Sequence, residues 1–403
     1  MNEKIKIGLI AYWFPPEKGV AVLRLNAFAK YLDKEKYDLT VFTVNQKNET
    51  KEEYKNDIKI VRINNPTNIL LLKESENDNK LKHLSKVIWN VSVSKIIKNK
   101  HQIWLTHLIE ILKKYKFDIL ISSYAPKEAH LAGVNYKINN PQTKWIADMR
   151  DEMSKNLHLN INERKSLSQI ENKINQYADA ITAVSAPILA DFKNIMPAVK
   201  HFEEIRNGFD HDMMPVENYN EIFTINYAGI FYGSIKPDSF FKGLKIFKEK
   251  NKVKINLQFI GTKRNFNVPN EFKNSITFLP KLENIEAVTH IFKADCNLLI
   301  LPKMGRKGVY SGKIFDYLSA RKPIVGVIDT EDVAADLITS LNAGFIADFE
   351  DANKIADAIQ KAYFWWKERK GLCNNQSEVF KLHRKFQVDK LSKLIEELIN
   401  ENN

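Results

Sequence analysis

At 403 residues, with 44% hydrophobic and 27% charged side chains, the chain has an ordinary globular composition and room for two domains, each with its own core. Its formal charge of +12 (61 Lys and Arg against 49 Asp and Glu) fits partners bearing phosphate or an anionic bilayer surface, without choosing among them. Cys296 and Cys373 lack metal-ligand spacing, which argues against a zinc site or disulfide framework and fits a reducing cytoplasm; no apolar run approaches the ~18 residues that cross a bilayer.

The first apolar run, Lys4–Ala11, reads as a buried strand: Pro15-Pro16-Glu17-Lys18 follows, with none of the small residues of a signal cleavage site. Helical spacing follows at Ala21–Leu32, then strand-like runs at Asp38–Val44 and Ile58–Ile63. The stretch Lys80–Lys116 holds nine lysines, one acid (Glu110), Trp89 and Trp104. It reads either as a pair of surface helices or as a patch for an anionic membrane surface. Beyond it, strands at Phe117–Ser122, Lys144–Asp148 and Ala180–Val184 alternate with helices at Glu128–Ile138 and Lys165–Tyr177.

The rhythm pauses at Ile205-Arg206-Asn207-Gly208-Phe209-Asp210, a turn signal, and the polar stretch His211–Asn220 reads as a linker. Alternation resumes with strands at Glu221–Ala228, Val253–Ile260, Ile276–Leu279, Asn297–Leu301, Pro323–Ile328 and Gly344–Ala347. Helices are expected at Phe240–Lys250, Ile285–Ala294, Ile314–Ala320, Asp332–Leu341 and Ala352–Lys367. The expectation is α/β: two tandem doubly wound, Rossmann-like domains at residues 1–210 and 221–379, with a last amphipathic helix in 380–400 that packs back on the first. Such sheets bind ligands at the carboxyl ends of their strands, and a cleft facing both domains is the default site.

The segment Tyr310-Ser311-Gly312-Lys313-Ile314-Phe315-Asp316-Tyr317 carries the most chemistry. Ser311 is placed to cap a helix whose free N–H groups would suit a diphosphate. Gly312 lets backbone approach closely, Lys313 adds positive charge, and Asp316 lies one turn on, within reach of sugar hydroxyls. By itself this is also what a capped surface helix looks like.

Here the chain resembles the family-4 glycosyltransferases of the GT-B fold, in the variant common among surface-polysaccharide enzymes. In that family a glutamate at the position of Asp316 grips the ribose of the nucleotide, and the preceding backbone amides hold its phosphates. A second glutamate, eight residues earlier, contacts the donor sugar in many members; this chain has Gly308 there. Phe14-Pro15-Pro16-Glu17-Lys18-Gly19 followed by Arg24 is similar to the family's first loop, which implies a donor-phosphate role for Gly19, although Val20 stands where a second glycine is usual. Trp145-Ile146-Ala147-Asp148-Met149-Arg150-Asp151 resembles a strand end that faces the acceptor; Asp151 is the candidate to orient or deprotonate an acceptor hydroxyl, and His130 is expected beside it as a second candidate. Tyr227 to Lys236 resembles the loop that opens the second domain, which makes Lys236 a cation for the leaving diphosphate. Ile260-Gly261-Thr262 and Phe278-Leu279-Pro280-Lys281 resemble nucleotide-contacting turns, so Gly261 and Pro280 join the donor set through backbone atoms.

The resemblance implies transfer of a sugar from a nucleotide-sugar such as a UDP- or GDP-sugar to a hydroxyl of a glycan or lipid-linked acceptor, with retention of configuration. Asp148 and Asp151 are three apart and so do not form an Asp-x-Asp pair at that strand end, and no metal and no other cofactor is expected. The alternatives are a nucleotide-sugar 2-epimerase of the same fold and a non-catalytic partner that keeps it. Nucleic acid ranks below these, since the lysines are spread over both domains without an aromatic stacking platform. The expected location is the cytoplasm, peripherally on the inner face of the cell membrane.

Overall fold

The computed structural model describes residues 3–45, 50–66, 84–90, 99–215, 217–303 and 305–401. The chain divides into two compact units, Met1–Ile205 with Val388–Asn403, and Arg206–Gln387.

In the first unit eight strands form one sheet. They are β1 (Ile5–Ile10), β2 (Tyr37–Asn45), β3 (Lys51–Lys55), β4 (Ile58–Asn64), β5 (Ile119–Ser123), β6 (Lys144–Met149), β7 (Ala180–Ala183) and β8 (His201–Glu204). Their order is β3-β4-β2-β1-β5-β6-β7-β8, parallel except for the β3–β4 hairpin. Alternate side chains go to opposite faces, so one strand feeds two cores. Ile7, Leu9 and Ala11 join one core with α1 (Val20–Tyr31). Ile10 and Tyr12 join the other. That second core includes side chains of α2 (Gln102–Leu112), α3 (Glu128–Asn139), α4 (Ile161–Tyr177) and α5 (Ala186–Ile195). Gly8 keeps this face flat: a Cβ there would lie 2.7 Å from the Phe117 ring.

The second unit has six parallel strands in the order β11-β10-β9-β12-β13-β14. These are β9 (Phe223–Ala228), β10 (Ile255–Ile260), β11 (Ile276–Leu279), β12 (Cys296–Leu301), β13 (Ile324–Ile328) and β14 (Gly344–Asp348). The helices are α6 (Asp238–Asn251), α7 (Asn284–Lys293), α8 (Lys313–Ala320), α9 (Val333–Ser340), α10 (Ala352–Lys367) and the short α11 (Gln376–Phe380). The strands are near-continuous apolar runs, as burial on both faces requires. A last helix, α12 (Arg384–Asn400), sends Val388, Leu391, Leu394, Ile395 and Leu398 into the core of the first unit.

Four elements escaped the sequence reading, β3, β8, α5 and α11, and α2 was read only within the alternative of a pair of surface helices. The β3–β4 hairpin turns on Asn56 and Asp57, both at positive φ (51° and 58°), a two-residue turn in the geometry that matches strand twist. Helix α2 falls inside the lysine-rich stretch, and its Trp104 is fully buried against Tyr12 (ring centroids 4.8 Å apart). Trp104 is therefore a core residue, which corrects the expectation that it serves a membrane face. Residues 84–90 are helical, with Leu84, Ile88 and Trp89 exposed; residues 80–83 and 91–98 of the same stretch lie outside the described residues. Among the described residues no helix is long and apolar enough to cross a membrane.

A buried ion pair ties the first unit together. Asp148, at the end of β6, receives Arg24 Nη2 at 2.7 Å, Arg24 Nε at 3.2 Å, Ser123 Oγ at 2.7 Å and Thr182 Oγ1 at 2.7 Å. Arg24 Nη1 also donates to the carbonyl of Ile205 at 2.6 Å. Helix α1 and strands β5, β6 and β7 thus meet on one carboxylate. Burial alone would raise the Asp148 pKa; the Arg24 guanidinium and the hydrogen bonds outweigh it and hold the carboxyl below its ordinary range. The stability this adds is present above the unfolded-state carboxylate pKa and is lost as pH falls through the lower folded value. Asp148→Ala strands a buried guanidinium and is expected to cost about 3–5 kcal/mol. A lowered urea midpoint for the first unit checks this; an unchanged midpoint would show that the pair is dispensable.

Candidate functional site

In the second unit the chain runs from β9 outward to β11 on one side and from β12 outward to β14 on the other. The reversal between β9 and β12 leaves a crevice at the carboxyl ends of these two strands, where ligands of doubly wound sheets sit. Gly229 follows β9 and adopts φ +126°, a conformation L side chains avoid. Its amide donates to the Ile260 carbonyl at 2.8 Å and its carbonyl accepts from Thr262 Oγ1 at 2.9 Å, so the ends of β9 and β10 are locked together. Gly261, at φ +68°, donates to the carbonyls of Leu279 and Pro280 at 3.0 and 3.2 Å, which brings the end of β11 alongside.

Helix α8 starts over this edge. Its N-cap is Gly312, in helical dihedrals and without a side-chain cap, while the Ser311 carbonyl accepts from Ile314 N at 3.1 Å. This corrects the expectation that Ser311 is the N-cap: the turn tightens one residue early, and the Ser311 side chain leaves the first amides of the helix uncapped. Tyr317, one turn on, accepts the Ala228 amide at 2.9 Å and anchors the helix to β9.

Lys313 lies across Gly229 so closely that a Cβ on that glycine would collide with Lys313 Cε. Its ammonium sits 5.1 Å from the Tyr227 ring centroid. Lys313 makes no hydrogen bond or ion pair among the described residues, and burial pushes its pKa down to about 8. A half-buried cation with no counter-charge is costly, and an arriving anion relieves that cost.

Asp316 points from the same helix with 27% of its side chain exposed, and it accepts no hydrogen bond. Burial pushes its pKa up to about 6, against the pull of Arg384. The imidazole of His211 lies 3.9 Å away but is neutral near pH 7, because burial pushes its pKa down to about 4. Ser319 Oγ donates to the Asp316 carbonyl at 2.7 Å and so accepts from His211 Nε2 at 3.1 Å, which fixes the tautomer with its proton on Nε2. Asp316 therefore keeps its carboxylate free for hydroxyls.

The loop before α8 explains the glycine at 308. Gly308 has φ +90° and donates to Asp332 Oδ1 at 2.6 Å, and the same oxygen caps α9 through Val333 N at 2.8 Å. A glutamate here would have to adopt a strained left-handed backbone. Lys236, in the loop after β9, is exposed and makes no ion pair, and Pro280 is exposed. Gly261, Pro280, Ser311, Gly312, Lys313 and Asp316 thus converge on the carboxyl edge of one sheet, with Lys236 on the loop leaving β9.

In the first unit, Gly19 is exposed at the N-cap of α1 with φ 145°. Asp151 is exposed just beyond β6, and Arg150 gives its guanidinium to the carbonyls of Tyr124 and Ala125. His130, expected beside Asp151 as a second candidate, is instead fully buried in the core. Trp145 Nε1 donates to Ser122 Oγ at 2.8 Å, and Ser122 Oγ lies 2.8 Å from His130 Nδ1. The indole can only donate, which leaves the serine proton available for Nδ1; that arrangement gives the buried hydroxyl an acceptor and puts the His130 proton on Nε2, which has no partner among the described residues. Burial lowers its pKa to about 4, so it is neutral near pH 7.

Sequence reasoning passed over Gly229, Tyr317 and His211, which position the site. The Gly-x-x-Tyr-Gly spacing around residue 229 carried a weak signal; Tyr317 and His211 carried none, since their roles come from contacts 89 and 108 residues away. Among the described residues no group of three or more His, Cys, Asp or Glu side chains is arranged to hold a metal ion.

No protein-family model matches the chain, and no curated protein sequence matches it. Solved structures match over nearly its whole length. Sucrose-phosphate synthase from Thermosynechococcus elongatus is similar at a TM-score of 0.63 and 12% identity, over 99% of this chain and 100% of that one. HepE from Anabaena, in complex with UDP and glucose, gives 0.61 and 11%, over 97% and 99% of the two chains. A UDP-forming α,α-trehalose-phosphate synthase from Burkholderia xenovorans, in complex with glucose-6-phosphate, gives 0.63 and 9%, over 97% and 100%. At such low identity the likeness is one of fold, and the fold is GT-B, with two Rossmann-like α/β units.

Proposed function

We propose that the protein transfers a sugar from a nucleoside-diphosphate sugar, such as a UDP- or GDP-sugar, to a hydroxyl of a glycan or lipid-linked acceptor in cell-surface polysaccharide synthesis. The observation that carries this reading is the unpaired, half-buried ammonium of Lys313 at the strand-order reversal, beside an uncapped helix start. A diphosphate supplies the missing negative charge, and Lys313, Lys236 and the helix amides stabilise it as a leaving group without any metal. Asp316 then accepts from the ribose diol. The resemblance assigns the backbone of Gly261 and Pro280 to the base, Asp151 of the first unit to the acceptor hydroxyl and Gly19 to the donor phosphates. The resemblance to retaining family-4 enzymes supports retention of configuration. The solved likeness that carries UDP and glucose supports a nucleotide-sugar donor. The exposed Leu84, Ile88 and Trp89 in a lysine-rich stretch support a peripheral seat on the cytoplasmic membrane face.

UDP or GDP at 100 times its Kd is expected to stabilise the protein by about 2.7 kcal/mol, seen as a raised melting temperature. Asp316→Ala should abolish that shift; a shift of undiminished size would take Asp316 out of the site.

Lys313→Met separates function from stability. Removing a dehydrated charge is expected to stabilise the unliganded protein by on the order of 1–2 kcal/mol at pH 7, after discounting for partial exposure, while weakening UDP binding tenfold or more. A destabilised variant that still binds UDP normally would refute the role given to Lys313.

UDP affinity is expected to be greatest between pH 6 and pH 8. Below about 6 Asp316 protonates and loses acceptor capacity; above about 8 Lys313 loses its charge. Calorimetric titration across this range checks both limbs, and a flat profile would count against both residues.

A further inference from the structure

The β3–β4 hairpin does more than extend the first sheet. Lys51, Glu53 and Lys55 lie on one face of β3, and Ile58, Ile60 and Arg62 lie on one face of β4, by the two-residue alternation of strands. Together with α1 and the loop after β1, these faces enclose a groove of 690 Å³. That is within the range of roughly 300–1,000 Å³ for small-molecule sites. From Ile58 to Arg62 the floor runs about 13 Å at ~3.3 Å per residue, enough for two pyranose rings. It opens at the carboxyl ends of β1 and β2, where Phe14 and Asn45 line it.

The floor is apolar (Ile58 and Ile60 are buried), and polar groups rise around it. Arg62 is held rigidly: its Nε donates to Glu53 Oε1 at 2.8 Å and its Nη2 to the Pro15 carbonyl at 2.7 Å, which leaves Nη1 without a partner among the described residues. Half-buried Asn26 of α1 lines the groove and makes no hydrogen bond among the described residues. Glu53 pairs with Arg62 at 2.7 Å and loosely with exposed Lys51 at 3.9 Å, and with Lys55 on the hairpin wall and Glu17 on the loop the charges along the groove, Arg62, Lys51 and Lys55 against Glu53 and Glu17, are net positive.

We propose that this groove is an acceptor subsite for a saccharide bearing a negative charge, a carboxylate or a phosphate. The apolar floor takes the C–H face of a pyranose ring, Asn26 and Arg62 Nη1 meet its hydroxyls, and Lys51 and Lys55 meet the acidic group. The assignment rests on the reading of the chain as a sugar transferase and names the class of its acceptor.

The test is isothermal titration of the full chain with glucuronic acid, glucose 6-phosphate and glucose, at low and high salt. Glucuronic acid and glucose 6-phosphate distinguish a carboxylate from a phosphate requirement, and at least one should bind at least tenfold more tightly than glucose, with the difference shrinking at high salt. The double variant Lys51→Glu, Lys55→Glu changes exposed positions only. It should erase that preference and leave the melting-temperature shift produced by UDP intact. Glucose binding as tightly as both acidic sugars, no binding of either acidic sugar, or an unchanged preference in the double variant would each overturn the proposal. Acidic-sugar binding without any UDP shift would instead sink the donor site and leave the groove standing.

Discussion

The strand order of the second sheet is the constraint on which the candidate site depends. A parallel strand needs a crossover to its next parallel neighbour, and right-handed crossovers send the helices to opposite faces when the direction of winding changes. That change falls between β9 and β12. No helix can cover the strand ends there, so backbone and side chains from three loops compete for the space. Gly229 gives up its side chain, Lys313 moves in over it, and Tyr317 pins the helix down by taking the Ala228 amide.

The two units treat buried charge in opposite ways. Arg24 and Asp148 are fully buried, paired in two directions and surrounded by further donors and acceptors, so the desolvation of each is offset. Lys313 and Asp316 are partly buried and have no such offset; both shift toward their neutral forms. The first arrangement is what a fold uses to hold itself together. The second costs stability and stays poised for something that arrives from solution. His211 and His130 show the same economy. Each is neutral, with its tautomer set by a serine: Ser319, its own proton given to the Asp316 carbonyl, accepts from His211, and Ser122, its oxygen taken by the Trp145 indole, donates to His130.

Gly308 illustrates how a missing side chain can be a backbone requirement. The loop before α8 turns through positive φ at both Gly305 and Gly308, and Asp332 clamps the second by its amide. The position where the resemblance looks for a second glutamate therefore holds a glycine for a backbone reason, while Lys313 and the uncapped start of α8 follow it.

Much of this was legible in the sequence because its cause is local. Alternating apolar runs and helical spacing named twelve of the strands and nine of the helices by position, and the spacing from Ser311 to Asp316 placed a cation and an acid on one helical turn. The β3–β4 hairpin was missed because Asn56-Asp57 is a weaker turn signal than Asn-Gly, and the buried face of α2 because its lysine-rich surroundings mask an apolar stripe. The N-cap at Gly312, the burial of His130 and Trp104, and the isolation of Lys313 were decided only by tertiary structure. Periodicity reports which face of an element is apolar. Whether a charge on that element meets a partner, water or nothing depends on chains folded back from a hundred residues away.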